Sequence, residues 1–284
     1  MARKDCPECQ GTGWRPVEVG GVRRVTRCAC REVERAAQRL AQARIPVRYK
    51  HCAFENFDIR KERNGSANRS LEQAKVWAQM FVQEYPTEFG LLLVGPTGVG
   101  KTHLAVAVLR ELITTKGVEC LFYGFRDLLK EIQDSYNPVS QTSELRVLQP
   151  VLDVEVLALD ELAASNPSDW VKETLAYVIQ SRYNQKKVTL VTTTLPFGEA
   201  SKRAAVRMPS GESVPELEKS LGQFGPALSS RLYEMCRLVE IRAEDYRKVK
   251  QAGHTFVFSK FADHEGEDEG EPTEGKNEGE ALQF

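Results

Sequence analysis

The sequence predicts an α/β fold, a parallel sheet flanked by helices, on three observations. Short apolar runs at residues 91–94, 119–123, 154–160, 188–194 and 237–241 have the length and composition of buried strands. Helix-forming stretches separate them, as parallel strands require. The first run also leads directly into Gly95-Pro96-Thr97-Gly98-Val99-Gly100-Lys101-Thr102 and then into a helix-forming run. That is a P-loop in its required setting of strand, glycine turn and helix.

The chemistry of the turn follows from its residues. Phosphate oxygens must be approached closely by backbone N–H groups, which glycines at 95, 98 and 100 permit. Lys101 reaches the β- and γ-phosphates, Thr102 offers its hydroxyl to Mg²⁺, and the helix from His103 to Leu112 sets its positive end beneath the anion. Gly95 through His103 are therefore the candidate nucleotide-binding residues.

A chain of 284 residues holds one such domain of about 200 residues with small appendages. Its 41% hydrophobic and 28% charged content is that of a globular protein. No apolar run approaches the ~20 residues of a membrane span, and no apolar signal core follows Met1, so the expectation is a cytoplasmic protein without a membrane role. The net charge of -1 hides a polarised chain. Residues 1–50 carry twelve basic against five acidic side chains, and residues 262–284 carry nine acids against one lysine. The basic arm suits an anionic or acidic partner, and the acidic Gly-rich tail, residues 261–284, reads as disordered.

In chain order, Cys6-Pro-Glu-Cys9, eighteen residues and then Cys28-Ala-Cys30 form an arm over residues 1–30. In a cytoplasmic chain the spacing reads as four thiolate ligands of a structural Zn²⁺, with Gly20-Gly21 turning a hairpin between the pairs. A redox dithiol is the alternative reading. Residues 31–44 form a basic helix within a linker over 31–47, either solvated or a surface for a protein or nucleic acid. The main domain is expected over 48–260. Within it Phe54 and Phe57 are either core or a frame for an adenine ring.

After the P-loop helix come a helix at 126–136, a loop at 137–142 and a short helix at 143–148. The strand at 154–160 then ends in Asp160-Glu161, a Walker B pattern: Asp160 for Mg²⁺, Glu161 to orient or deprotonate the attacking water. A helix at 169–184 leads to the strand that ends in Thr192-Thr193-Thr194. Residues 198–226 are a polar excursion before Ser229-Ser230-Arg231-Leu232 and the last strand.

With Walker A, Walker B and Ser-Arg-Leu in this order, the chain resembles the AAA+ ATPases, specifically the DnaC/DnaI-type loaders of the replicative helicase and their IstB-like relatives. The runs Arg48-Tyr49 through Phe54-Glu55-Asn56-Phe57, Thr192-Thr193-Thr194-Leu195-Pro196 and Glu244-Asp245-Tyr246-Arg247 also look like that branch. The resemblance implies an ATPase using ATP, Mg²⁺ and Zn²⁺, and the sequence departs from the wider family in that no full helical lid is expected after Ile241. It implies Thr194 as sensor 1, where the family usually has Asn, and Arg231 as an arginine finger; Arg247 is a substitute for the missing sensor 2. It implies single-stranded DNA contacts at Tyr136, Ser168 and Trp170, an ATP-dependent homo-oligomer, and docking of the zinc arm on the hexameric replicative helicase. An IstB-like transposition helper is the alternative, and an ATP-gated switch or a zinc protein with a vestigial ATPase are readings from other classes.

Overall fold

The computed structural model describes residues 3–60, 68–137, 143–162, 167–194 and 224–250. Most of the 198–226 excursion and the whole acidic tail lie outside them.

The arm is a hairpin of β1 (Trp14–Val19) and β2 (Val22–Arg27), antiparallel with Trp14 opposite Arg27 and Val19 opposite Val22. Gly20 and Gly21 close it with φ of 60° and 76°, the left-handed pair that a two-residue hairpin turn needs. The basic helix follows as α1 (Ala29–Gln42), and its C-terminal end is drawn into the main domain. Ala43 is fully buried, Ala36 and Leu40 pack on the core, and Ala43 O accepts the N–H of Phe122 at 2.8 Å.

Five parallel strands make the sheet: β3 (Gly90–Val94), β4 (Cys120–Gly124), β5 (Val156–Asp160), β6 (Val188–Thr193) and β7 (Cys236–Glu240), in the order β4-β5-β6-β3-β7. Strands β3, β5 and β6 are buried at every position, as strands covered on both faces are. Helices α2 (Arg69–Glu84) and α3 (Lys101–Glu111) cover one face around Leu91, Leu93, Ala158 and Leu190. The other face, around Leu92, Val94, Leu157 and Val191, is covered by α4 (Phe125–Ser135), α5 (Glu144–Asp153), α6 (Asp169–Asn184) and α7 (Pro226–Met235). Tyr246 opens a second compact unit, of which residues 246–250 are described and helical.

Two helices differ from the sequence expectation. The helix expected at 143–148 runs on through Pro150 to Asp153, because Ser143 caps its start and the carbonyls at its far end find a partner in Arg182. The P-loop helix starts at Lys101 and closes in a π turn over Leu112–Lys116, ended by Gly117 at φ 63°. Phe54 and Phe57 are both core residues.

Candidate nucleotide and metal sites

The P-loop lies at the carboxyl end of β3, the end of an open α/β sheet where ligands bind. Gly100 caps α3 at φ 104°, with the ring edge of Phe57 so close that a Cβ there would lie 2.7 Å from it. Lys101 is buried, and its Nζ donates to Gly95 O and Pro96 O at 2.7 Å each, so the ammonium sits inside the loop at the place a phosphate charge would need it. His103 Nε2 meets Ala53 O at 2.9 Å, which ties the segment before α2 to the P-loop helix. Burial pulls the His103 imidazole below its ordinary range.

Asp160 ends β5 beside this loop. Thr102 Oγ1 donates to its two carboxylate oxygens at 2.9 and 3.2 Å, and Thr192 Oγ1 donates to Oδ1 at 2.6 Å. The P-loop hydroxyl and the strand-end carboxylate are thus in contact, the donor set that an octahedral, oxygen-seeking Mg²⁺ takes. Burial raises the Asp160 pKa, against the two hydroxyl bonds that lower it. Glu161 is exposed and left-handed, φ 57°, and its N–H donates to Thr192 Oγ1 at 3.0 Å. Glu161 thus stands exposed at the carboxyl end of β5, one residue past Asp160.

The threonine run divides its labour. Thr192 bonds Asp160 and Glu161, Thr193 Oγ1 donates to Leu162 O at 2.6 Å, and Thr194 lies half-buried one residue beyond β6. Sequence reasoning chose Thr194 and missed Thr192. The signal lies in register: Leu159 faces Val191, so the next pair is Asp160 and Thr192, a correspondence that only strand pairing reveals.

Other expected site residues lie farther out. Arg231 sits in α7, its Nη1 donating to Ala227 O at 2.9 Å and its guanidinium 5.8 Å from the centre of the Tyr183 ring. Tyr136 caps the end of α4 and is 52% exposed. Ser168 caps α6, its hydroxyl accepting from Val171 N–H, and Trp170 is partly buried against the core beneath α6.

In the arm, Cys6, Cys9, Cys28 and Cys30 bring their sulfurs within 4.8 Å of one another, with Cys6 and Cys28 at 3.7 Å and Cys9 and Cys30 at 3.4 Å. A tetrahedral ion at Zn–S distances of ~2.3 Å separates its sulfurs by about 3.8 Å, so the four thiols fit zinc. Main-chain N–H groups, of Cys9 first and also of Glu8, draw the Cys6 thiol down to about 7 against partial burial. Among the described residues no other group of three or more potential ligands gathers in this way.

The chain is similar to several known proteins. The Escherichia coli K12 replicative helicase loader DnaC is 28% identical over 171 residues, 58% of this chain and 66% of DnaC, so the match spans just under two thirds of that relative. The phage-like element PBSX protein XkdC of Bacillus subtilis 168 is 23% identical over 257 residues, 86% of this chain and 85% of XkdC. Among solved structures, that of the DnaC helicase loader superposes with a TM-score of 0.57 at 29% identity, covering 69% of this chain and all of that one. The DnaI crystal structure, at 21% identity and TM-score 0.51 over 73% of this chain and 98% of its own, shares the fold. Among the described residues no helix is long and apolar enough to cross a membrane. Residues 25–253 match the family described as IstB-like ATP binding protein, a match that begins beyond the first cysteine pair and takes in the whole sheet. The chain, with its AAA+ P-loop fold, belongs to that family of IstB-like ATP-binding proteins.

Proposed function

We propose that the protein is an ATP-dependent loader of the replicative DNA helicase, binding ATP with Mg²⁺ and single-stranded DNA. The observation that carries the ATPase part is the contact of Thr102, Asp160 and Thr192 beside Glu161, one cluster holding the groups for metal, phosphate and water. In that reading Lys101 and the loop N–H groups neutralise the phosphates, Thr102 and Asp160 hold Mg²⁺, and Glu161 takes the proton of the attacking water. A cation held there would supply neutralisation of the triphosphate charge. Arg231 completes the site of a neighbouring subunit, and Thr194 touches the γ-phosphate side. The loader part is supported by the similarity to DnaC in sequence and fold.

The arm is the docking element. It is basic, gathers four cysteines that would hold zinc, and projects Trp14, Val19, Val22 and Val25 into solvent, apolar surface that a protein partner would cover. Tyr136 and Trp170 stack bases, and Ser168 contacts a phosphate. A second reading, a transposition helper that hands DNA to a transposase, is favoured by the family match itself.

Co-sedimentation of the purified chain with the hexameric replicative helicase of its host tests the choice. A stable complex that is lost on deleting residues 1–30 is the expected result. Failure to bind the helicase, with a transposase recovered from the same cells, turns the assignment to the second reading.

A further inference from the structure

The segment leaving β7 is strapped across the outside of the P-loop. Ile241 N–H donates to Val94 O at 2.7 Å, so the chain still pairs with β3 where the loop begins. Asn68 caps α2 and also donates Nδ2 to Arg242 O at 3.1 Å. Ser70 Oγ donates to Glu240 O at 3.2 Å and accepts the Arg242 N–H at 2.7 Å, while Arg60 Nη1 donates to Glu244 O at 2.5 Å. Residues 240–244 are therefore held by β3, by α2 and by the segment before α2.

Two glycines of the loop record the closeness of this strap. A Cβ on Gly95 would lie 2.3 Å from Ile241 O, and a Cβ on Gly98 would lie 1.8 Å from Asp245 Oδ1 and 2.3 Å from its Cγ. The Asp245 carboxylate thus fills the space that a side chain on Gly98 would take, flat against the loop. Gly98 itself stands at φ 78°. A loop of N–H groups at a helix start attracts anions, and the Asp245 carboxylate lies against that loop at Gly98. The same carboxylate opposes a second, larger anion in that loop.

We propose that Asp245 sets the affinity of the nucleotide site, as a fixed negative charge on the rim of the P-loop that triphosphate binding must push aside. This rests on the P-loop binding nucleotide, the reading given above. Loop and strap share atoms in contact, so occupancy of the loop loosens residues 240–245. The segment after β7 thereby responds to the nucleotide.

The test is equilibrium titration of the full-length protein with a fluorescent ATP analogue and with the matching ADP analogue, with Mg²⁺ and in EDTA. Asp245→Asn keeps the shape and removes the charge; Asp245→Ala removes both. Both variants are expected to bind nucleotide roughly tenfold more tightly. The gain should be larger for free ATP than for its Mg²⁺ complex, because the free anion carries more charge. Amide hydrogen exchange should speed up in residues 240–245 when ATP is added to the parental chain. Unchanged or weaker binding by Asp245→Asn, with an unaltered melting temperature, overturns the role of Asp245, as does slower exchange of the strap with ATP. A parental chain that binds no nucleotide overturns the ATPase reading as well, which keeps the two failures distinct.

Discussion

The hydroxyl of Thr192 lies 2.6 Å from Asp160 Oδ1 and at the same time accepts the N–H of Glu161 at 3.0 Å. One side chain on β6 thus orients both acids at the end of β5, including the residue in a left-handed backbone. Thr192→Val keeps the volume and deletes both bonds, leaving a buried acceptor and an N–H to find other partners. Its turnover of ATP should fall about tenfold while ATP affinity stays within about twofold, and Thr192→Ser should restore the rate. A steady-state assay checks this; full activity in the valine variant would show that the two acids hold their own positions.

Lys101 and Glu161 should fail in different ways. Lys101→Ala removes the charge inside the loop and should abolish tight ATP binding. Glu161→Gln should bind ATP as the parent does and not turn it over. Parental hydrolysis by Glu161→Gln would remove the acid from the mechanism.

The fold was legible because its signals are local. Buried parallel strands are continuous apolar runs, and the P-loop is continuous in sequence, so strands and loop could be read residue by residue. Thr192 and Asp245 could not. Both meet the site from elsewhere in the sequence, Thr192 through strand register and Asp245 through the segment after β7 that lies against the loop. The helix expected at 143–148 runs longer for a related reason: a guanidinium from α6 holds the carbonyls beyond Pro150.

One Zn²⁺ per chain is expected in the arm. Cys9→Ser should release it and abolish partner docking while nucleotide affinity is unchanged, since among the described strands β1 pairs with β2 alone, in a hairpin too small to bury a core of its own. Metal analysis and a binding assay give the answer, and zinc-free protein that docks normally would refute it.

Arg231 faces Tyr183 and its own helix. If it serves a neighbour's nucleotide, Arg231→Ala should bind ATP normally and lose hydrolysis by a factor on the order of 10³. Mixed with Lys101→Ala, it should recover part of the activity, because each variant keeps the half that the other lacks. No recovery at any mixing ratio, with assembly verified by sedimentation, would confine Arg231 to its own chain.

Tyr136→Ala and Trp170→Ala should weaken single-stranded DNA binding by about 1–3 kcal/mol each without altering ATP affinity. Fluorescence anisotropy decides it. The partly buried Trp170 should also lower the melting temperature on truncation, and the 52% exposed Tyr136 should not.

Arg182 is fully buried between α5, α6 and β6. Its guanidinium donates to Val151 O, Leu152 O, Val154 O, Val188 O and the Thr189 hydroxyl, and burial pulls it down to about 10, still charged at neutral pH. Those acceptors belong to the last turn of α5 and the first residues of β6. The side chain therefore works as a rivet between a surface helix and a central strand, rigid because five bonds hold one planar group. It ties α5 to the start of β6, the strand that carries Thr192 near its other end.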